Sequence, residues 1–172
     1  MRVLHVVVMG VAGFGKSAVG ARIADALGLP LIEGDEFHPR ANLEKMRRGL
    51  PLDDADRAGW LGVLAAELAR HPDGAVLTCS ALKRSYRDRL RCAVPGLRFV
   101  HLQLSQEEAL RRVQGRGGHF YPPSLVASQF QALEDPSPEA GVLTVDACLP
   151  LDEVVDRTLA WLRSATDSTF RN

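Results

Sequence analysis

The sequence predicts an α/β domain: a five-stranded parallel sheet in three layers, with helices on both faces. Three observations point there. Five short apolar segments alternate with helical segments along the whole chain. Those segments are almost unbroken in their apolar character, as strands covered on both faces must be, rather than alternating as half-wet strands do. The first of them runs straight into a glycine-rich turn and then a helix.

Residues 2–9 form the first predicted strand. A helix from about Gly15 to Leu27 carries Val19, Ile23, Ala26 and Leu27 on one face, and Gly28 stops it. Leu29 to Glu33 is a short second strand. Residues 35–56 are polar and hold Pro39, Gly49 and Pro51, which predicts a short helix plus loop. Trp60, Leu61, Leu64 and Leu68 mark an amphipathic helix that ends before Pro72 and Gly74. Ala75 to Cys79 is the third strand, Lys83 to Arg91 a charged helix and Leu97 to Leu102 the fourth strand.

Ser105, with Glu108 three residues on, has the spacing of a capping box and opens a helix to about Gln114. Gly115 to Pro123 is a glycine-rich break, and Ser124 to Leu133 is helical again. Val142 to Val145 is the last strand. Leu151, Val154, Val155, Thr158, Leu159 and Leu162 give the apolar face of a C-terminal helix. Residues 1–164 are expected to form one domain and residues 165–172 a loose polar tail.

The chain has 172 residues, one domain's worth, with 46% hydrophobic and 24% charged side chains, enough to bury a core and stay soluble. It carries 21 basic and 21 acidic side chains, so its net charge is zero, against a general binder of nucleic acid or anionic membrane. The apolar run at the N-terminus is too short to span a membrane and leads directly into a glycine-rich turn, and no secretory leader is legible. Cys79, Cys92 and Cys148 are widely spaced, odd in number and lack metal-ligand spacing, which fits reduced buried thiols.

The most informative segment is Gly10-Val11-Ala12-Gly13-Phe14-Gly15-Lys16-Ser17, which fits the phosphate-binding pattern G-x-x-x-x-G-K-[ST] and lies between a strand and a helix, where that motif works. Glycines at 10, 13 and 15 let the backbone turn its N–H groups inward. Those of Gly13, Gly15, Lys16, Ser17 and Ala18 can then ring a phosphate at the positive end of the helix. Lys16 reaches the outer phosphates, and the Ser17 hydroxyl can ligate Mg²⁺.

In a parallel sheet the ligand sits outside the carboxyl ends of the strands. After the second strand comes Asp35, which can accept a proton from an attacking hydroxyl or hold a metal-bound water; it can also simply cap the next helix. Glu33 and Glu36 are weaker alternatives. After the third strand, Ser80 stands where many phosphate-loop proteins carry an acidic metal residue, and Ser80 can also be a helix N-cap.

Arg111, Arg112 and Arg116 lie just before and inside the glycine segment 115–123, which suits a short mobile lid. Arg116, flanked by glycines, is best placed to neutralise charge on a transferring phosphoryl group. One of Arg111 and Arg112 can reach the nucleotide, the other being solvated; a helix end favouring positive charge is the alternative for the whole cluster. Residues 36–57, with His38, Arg40, Lys45, Arg47, Arg48 and Arg57, suit a cap that binds an anionic, hydroxyl-rich acceptor.

These motifs together resemble those of the gluconate kinases. The resemblance is carried by the phosphate loop G-V-A-G-F-G-K-S, by G-D-E-F-H-P-R-A-N-L-E-K-M and by G-L-P-L-D-D-A-D-R-A-G-W-L. It continues through C-S-A-L-K-R-S-Y-R-D, R-G-G-H-F and S-Q-F-Q-A-L-E-D-P to the final V-D, spanning roughly residues 4–162. It implies a nucleoside-monophosphate-kinase-like fold, Mg²⁺-ATP as phosphoryl donor, D-gluconate as acceptor and a cytoplasmic homodimer. It implies Asp35 on the acceptor side, and favours His38, Lys45, Arg57 and Lys83 over Arg40, Arg47 and Arg48 as acceptor residues. Arg116 and His119 fall on the family's lid, and Arg112 is the arginine assigned to the nucleotide. Ala12 and Phe14 stand where the family often has serine, and Tyr121 where methionine is more usual.

The expected chemistry is in-line phosphoryl transfer, with Asp35 acting on the acceptor hydroxyl while Lys16, Mg²⁺ and Arg116 hold the charge. A kinase for another small hydroxy acid such as shikimate is the nearest rival. A nucleotide switch acting through a protein partner is the rival from another class, but it usually needs an acidic residue after the third strand, and an N-K-x-D motif if it uses GTP; neither is present.

Overall fold

The computed structural model describes residues 3–11, 15–115 and 122–167. Its sheet is five-stranded and wholly parallel, in the order β2-β3-β1-β4-β5. The strands are β1 (His5–Met9), β2 (Leu31–Glu33), β3 (Ala75–Thr78), β4 (Arg98–Gln103) and β5 (Val142–Asp146). The helices are α1 (Lys16–Leu27), α2 (Arg40–Arg47), α3 (Asp54–Ala69), α4 (Arg84–Ala93), α5 (Gln106–Gly115), α6 (Pro123–Ala132) and α7 (Leu151–Asp167).

The period-2 alternation of a strand divides the core in two. Val7 and Met9 of β1 point to the face covered by α3 and α4, where Trp60, Leu61, Leu64, Leu68 and Leu90 pack with Phe99 and Leu77. Val6 and Val8 point to the other face, against Val19 and Ile23 of α1 and Val154, Val155, Leu159 and Leu162 of α7. Because both faces are covered, β1 is buried at every position. That is why it reads as an unbroken apolar run.

The chain moves from β1 outward to β2 and β3 on one side, then crosses to β4 and β5 on the other. The direction reverses at β1, so its carboxyl end, and the phosphate loop that follows, open into the crevice where such sheets bind ligands.

Several boundaries differ from those predicted. β2 begins at Leu31 rather than Leu29. Ala24, not Ala26, completes the buried face of α1. The helix containing Trp60 begins at Asp54, six residues upstream, because Asp53 accepts from the Asp56 N–H and Asp56 returns a bond to the Asp53 N–H in a full capping box. At Ser105 the hydroxyl does cap the Glu108 N–H, while the Glu108 carboxylate is taken by Arg111 and Arg112. Ser80 is not an N-cap: α4 starts at Arg84, with Lys83 in the capping position. The last helix runs to Asp167, into the stretch expected to be a loose tail. Of the three free cysteines only Cys79 is buried; Cys92 and Cys148 are exposed.

Candidate active site

Three strand ends meet at the phosphate loop. Gly10, at the end of β1, has φ 149°, and a Cβ there would lie 2.9 Å from the Leu102 carbonyl oxygen, so only glycine lets the loop leave the sheet beside β4. Its N–H donates to the Ser80 carbonyl at 3.3 Å, tying the loop to the segment after β3. Gly15 stands at the N-terminus of α1, followed by Lys16, Ser17 and Ala18 in its first turn. Gly13 lies outside the described residues, as do Ala12 and Phe14.

The Lys16 ammonium rests on the loop itself, donating to the carbonyls of Gly10 at 3.0 Å and Val11 at 3.1 Å. Burial lowers its pKa, and the nearby Asp35, Cys79 and Glu33 act in the opposite direction. Asp35 is thus close enough for its charge to be felt at Lys16.

The Ser17 hydroxyl donates to Glu33 Oε2 at 3.0 Å, and Thr78 donates to the same oxygen at 2.6 Å. Glu33, the weaker alternative to Asp35 in the sequence, thus stands against the phosphate-loop serine. With its proton committed to Glu33, the Ser17 oxygen keeps lone pairs for a cation. Among the described residues no cluster of three His, Cys, Asp or Glu side chains could hold a metal alone. A Mg²⁺ held by one hydroxyl, nucleotide phosphates and waters needs no such cluster.

Asp35 lies in a 3₁₀ turn (Gly34–Phe37) directly after β2. The turn is wedged against β3: a Cβ on Gly34 would fall 2.2 Å from the Thr78 carbonyl oxygen. The indole N–H of Trp60 donates to the Gly34 carbonyl at 2.8 Å. The Asp35 side chain is 88% exposed, and its Oδ1 lies 3.8 Å from Nε2 of His38, whose side chain is 5% exposed. The His38 ring stacks on Trp60 with centroids 4.1 Å apart and planes 15° apart. Burial lowers the His38 pKa, with Asp35 opposing and Arg57 reinforcing the shift.

Arg57, on the first turns of α3, is buried and donates to the Tyr86 hydroxyl at 3.4 Å. Among the described residues it makes no ion pair. Lys45 does, 2.6 Å from Asp56, and Lys83 does, 2.9 Å from Asp54. Tyr86 also donates to Asp54. Arg40, Arg47 and Arg48 are exposed. By burial these residues separate into His38 and Arg57 inward, Lys45 and Lys83 half-buried, and Arg40, Arg47 and Arg48 in solvent.

The segment after β3 is bent by Ala81, whose φ is 46°, in the left-handed region that non-glycine residues seldom occupy. Buried Arg87 holds the bend with all five of its N–H donors. They go to the carbonyls of Ala81, Leu82 and Glu134 and to both carboxylate oxygens of Glu139. Cys79, at the centre of this region, has its thiol pushed up to about 12, chiefly by burial, and is not a nucleophile.

On the α5 side, Arg111 is paired to Glu108 and largely solvated, whereas Arg112 also reaches the Ala147 carbonyl at 3.1 Å, beyond β5. Arg112 is therefore the inward one of the two. Arg116 and His119 lie outside the described residues. A cavity of about 250 Å³ beside Val11 is walled by Phe130, Leu133, His101 and Asp135.

A parallel sheet of this order, with a phosphate loop after β1 and an acidic turn after β2, defines a phosphate-loop kinase of the nucleoside-monophosphate-kinase-like class. The model of a family described as an AAA domain matches residues 6–136. The gluconokinase of Gluconobacter oxydans (strain 621H) is 46% identical over 156 residues, covering 89% of this chain and 88% of that protein. The thermoresistant gluconokinase of Escherichia coli (strain K12) is 41% identical over 157 residues, covering 89% and 90%. The crystal structure of a gluconokinase from Sinorhizobium meliloti 1021 superposes with a TM-score of 0.90 at 46% identity, covering 98% of each chain. The chain belongs to the gluconokinase family.

Proposed function

We propose that this protein transfers the γ-phosphoryl group of ATP to the terminal hydroxyl of D-gluconate, giving 6-phospho-D-gluconate and ADP. The observation that carries the choice of acceptor is Arg57. Arg57 is 8% exposed, forms no ion pair among the described residues and is close enough to His38 and Asp54 for its charge to lower both their pKa values, so this buried guanidinium suits an anionic acceptor. The carboxylate of a sugar acid supplies the charge. Lys45 and Lys83, already paired with Asp56 and Asp54, exchange those partners for acceptor hydroxyls or carboxylate at modest cost.

In the transfer step the acceptor oxygen forms a bond to the γ-phosphorus as the bond to the β–γ bridging oxygen breaks. The hydroxyl proton passes to the Asp35 carboxylate, and ADP carries away the electron pair. Lys16 leaves the loop carbonyls for the phosphates. The Ser17 oxygen is the protein ligand offered to Mg²⁺, which when bound neutralises charge on the β- and γ-phosphates. Arg112 holds the nucleotide, and Arg116 and His119 serve the lid that covers the phosphates and the acceptor. Among the described residues no helix is long and apolar enough to cross a membrane. A cytoplasmic homodimer that binds no nucleic acid belongs to the same proposal.

The test is a coupled assay with Mg²⁺-ATP over gluconate, other sugar acids, shikimate, and neutral polyols of the same length. Turnover of gluconate far above the neutral polyols is expected. Turnover of shikimate with none of gluconate would contradict the acceptor, and equal turnover of neutral polyols would contradict the role given to Arg57.

A further inference from the structure

His38 has two ring nitrogens in two different environments. Nε2 faces Asp35 at 3.8 Å, and Nδ1 faces Asn42. Which nitrogen of a neutral imidazole carries the proton is set by the partner of the other. That partner is itself buried, Asn42 being 2% exposed.

The Asn42 amide nitrogen lies 3.0 Å from the main-chain carbonyl oxygen of Asp56 and 3.3 Å from His38 Nδ1. A carbonyl oxygen can only accept, so Asp56 requires the NH₂ end of the amide at that point, not its oxygen. The second N–H of the same NH₂ is then the one presented to His38. Nδ1 must accept it, which leaves the proton of the neutral ring on Nε2.

We propose that Asn42 is a positioning residue that locks His38 in its Nε2–H tautomer and aims that N–H at Asp35 and the reacting end of the acceptor. His38 is thereby a hydrogen-bond donor and not a second base, so the acceptor's proton has one destination, Asp35. A separation of 3.8 Å is too long for a direct hydrogen bond. It closes by rotation of the exposed Asp35 side chain, or is bridged by an acceptor oxygen hydrogen-bonded to both groups. Trp60 completes the lock: its ring stacks on the imidazole, and its N–H holds the Gly34 carbonyl one residue before Asp35. The inference rests on the kinase reading only for the identity of the acceptor.

The test is ¹⁵N NMR of the imidazole nitrogens in the full-length, substrate-free protein, with His38 assigned by its absence in His38→Gln. An unprotonated Nδ1 and a protonated Nε2 are expected. A protonated Nδ1 in the wild type would overturn the proposal whatever the variants do. In Asn42→Asp the carboxylate accepts where the amide donated, so Nδ1 should become protonated and kcat should fall about 10²-fold with the KM for ATP unchanged. His38→Gln, which keeps an N–H near the Nε2 position, should retain kcat within about tenfold, whereas His38→Leu should lose about 10²-fold. Equal losses in the two would overturn the donor role. A wild type with the expected tautomer but no gluconate turnover would sink the functional reading and leave this one standing.

Discussion

Arg87 and Glu139 lie 52 residues apart in sequence and meet as an ion pair whose side chains are 0% and 5% exposed, Nη2 to Oε2 at 2.6 Å. Arg91 adds a second contact to the same carboxylate at 2.8 Å. Burial alone would raise the Glu139 pKa, but the bonds from Arg87 and Arg91 more than offset it and hold it below the usual carboxylate value. The pair fastens the bent segment after β3 to the connection between α6 and β5. Arg87→Met should cost about 3–5 kcal/mol in urea unfolding, because Glu139 loses its main partner and three carbonyls lose their donors. A loss under about 1 kcal/mol would show that the pair does not hold the bend.

Gly34 packs directly on the backbone of β3. Gly34→Ala puts a methyl group where the Thr78 carbonyl oxygen already stands, so the turn carrying Asp35 must move. We expect a loss of about 1–3 kcal/mol in thermal or urea unfolding together with a fall in kcat well beyond what the stability loss explains. Wild-type activity in a folded Gly34→Ala protein would mean the turn is not held by this contact.

Asp35→Asn keeps the size of the side chain and removes its basicity. A fall in kcat of about 10²–10⁴ is expected, with ATP affinity, measured by titration calorimetry, unchanged. Unaltered turnover would remove Asp35 from the proton's path.

His101 is 4% exposed, and its Nδ1 has no hydrogen-bond partner among the described residues. Burial holds this imidazole at about 4, below its ordinary 6.5. Between those two pH values the unfolded chain binds a proton that the folded chain does not, so stability rises with pH across the window and falls as pH drops from 6.5 toward 4. The difference of 2.5 units corresponds to about 3 kcal/mol. Urea unfolding from pH 4 to 7 should show a shallower acid limb in His101→Gln than in the wild type. Identical limbs would contradict the neutral buried state.

The parts of this fold that were legible in the sequence are those set by neighbours in the chain. The strand, loop and helix around Lys16 could be read because the motif's parts are adjacent. The central strands β1 and β3 could be read because burial on both faces leaves unbroken apolar runs. The capping box at Asp53 was also present, as an acid three residues from an acid, but it lay inside a stretch whose prolines and glycines argued for loop. Trp60 was legible as a core residue of its helix. That it also supports His38 and Gly34 depends on contacts 22 and 26 residues away, which no local pattern carries. Arg87 looked like any charged helical residue, because its five acceptors come from three separate stretches of chain. Asn42, between a histidine and a distant carbonyl, left no signal of its own.

The most direct test of the account is ³¹P NMR of the purified protein with Mg²⁺-ATP and D-gluconate. It predicts ADP and a phosphomonoester on the terminal carbon of gluconate, formed one for one and dependent on both substrates. ADP and inorganic phosphate formed at the same rate with and without gluconate would contradict it, and would mark the chain as a nucleotide hydrolase or switch.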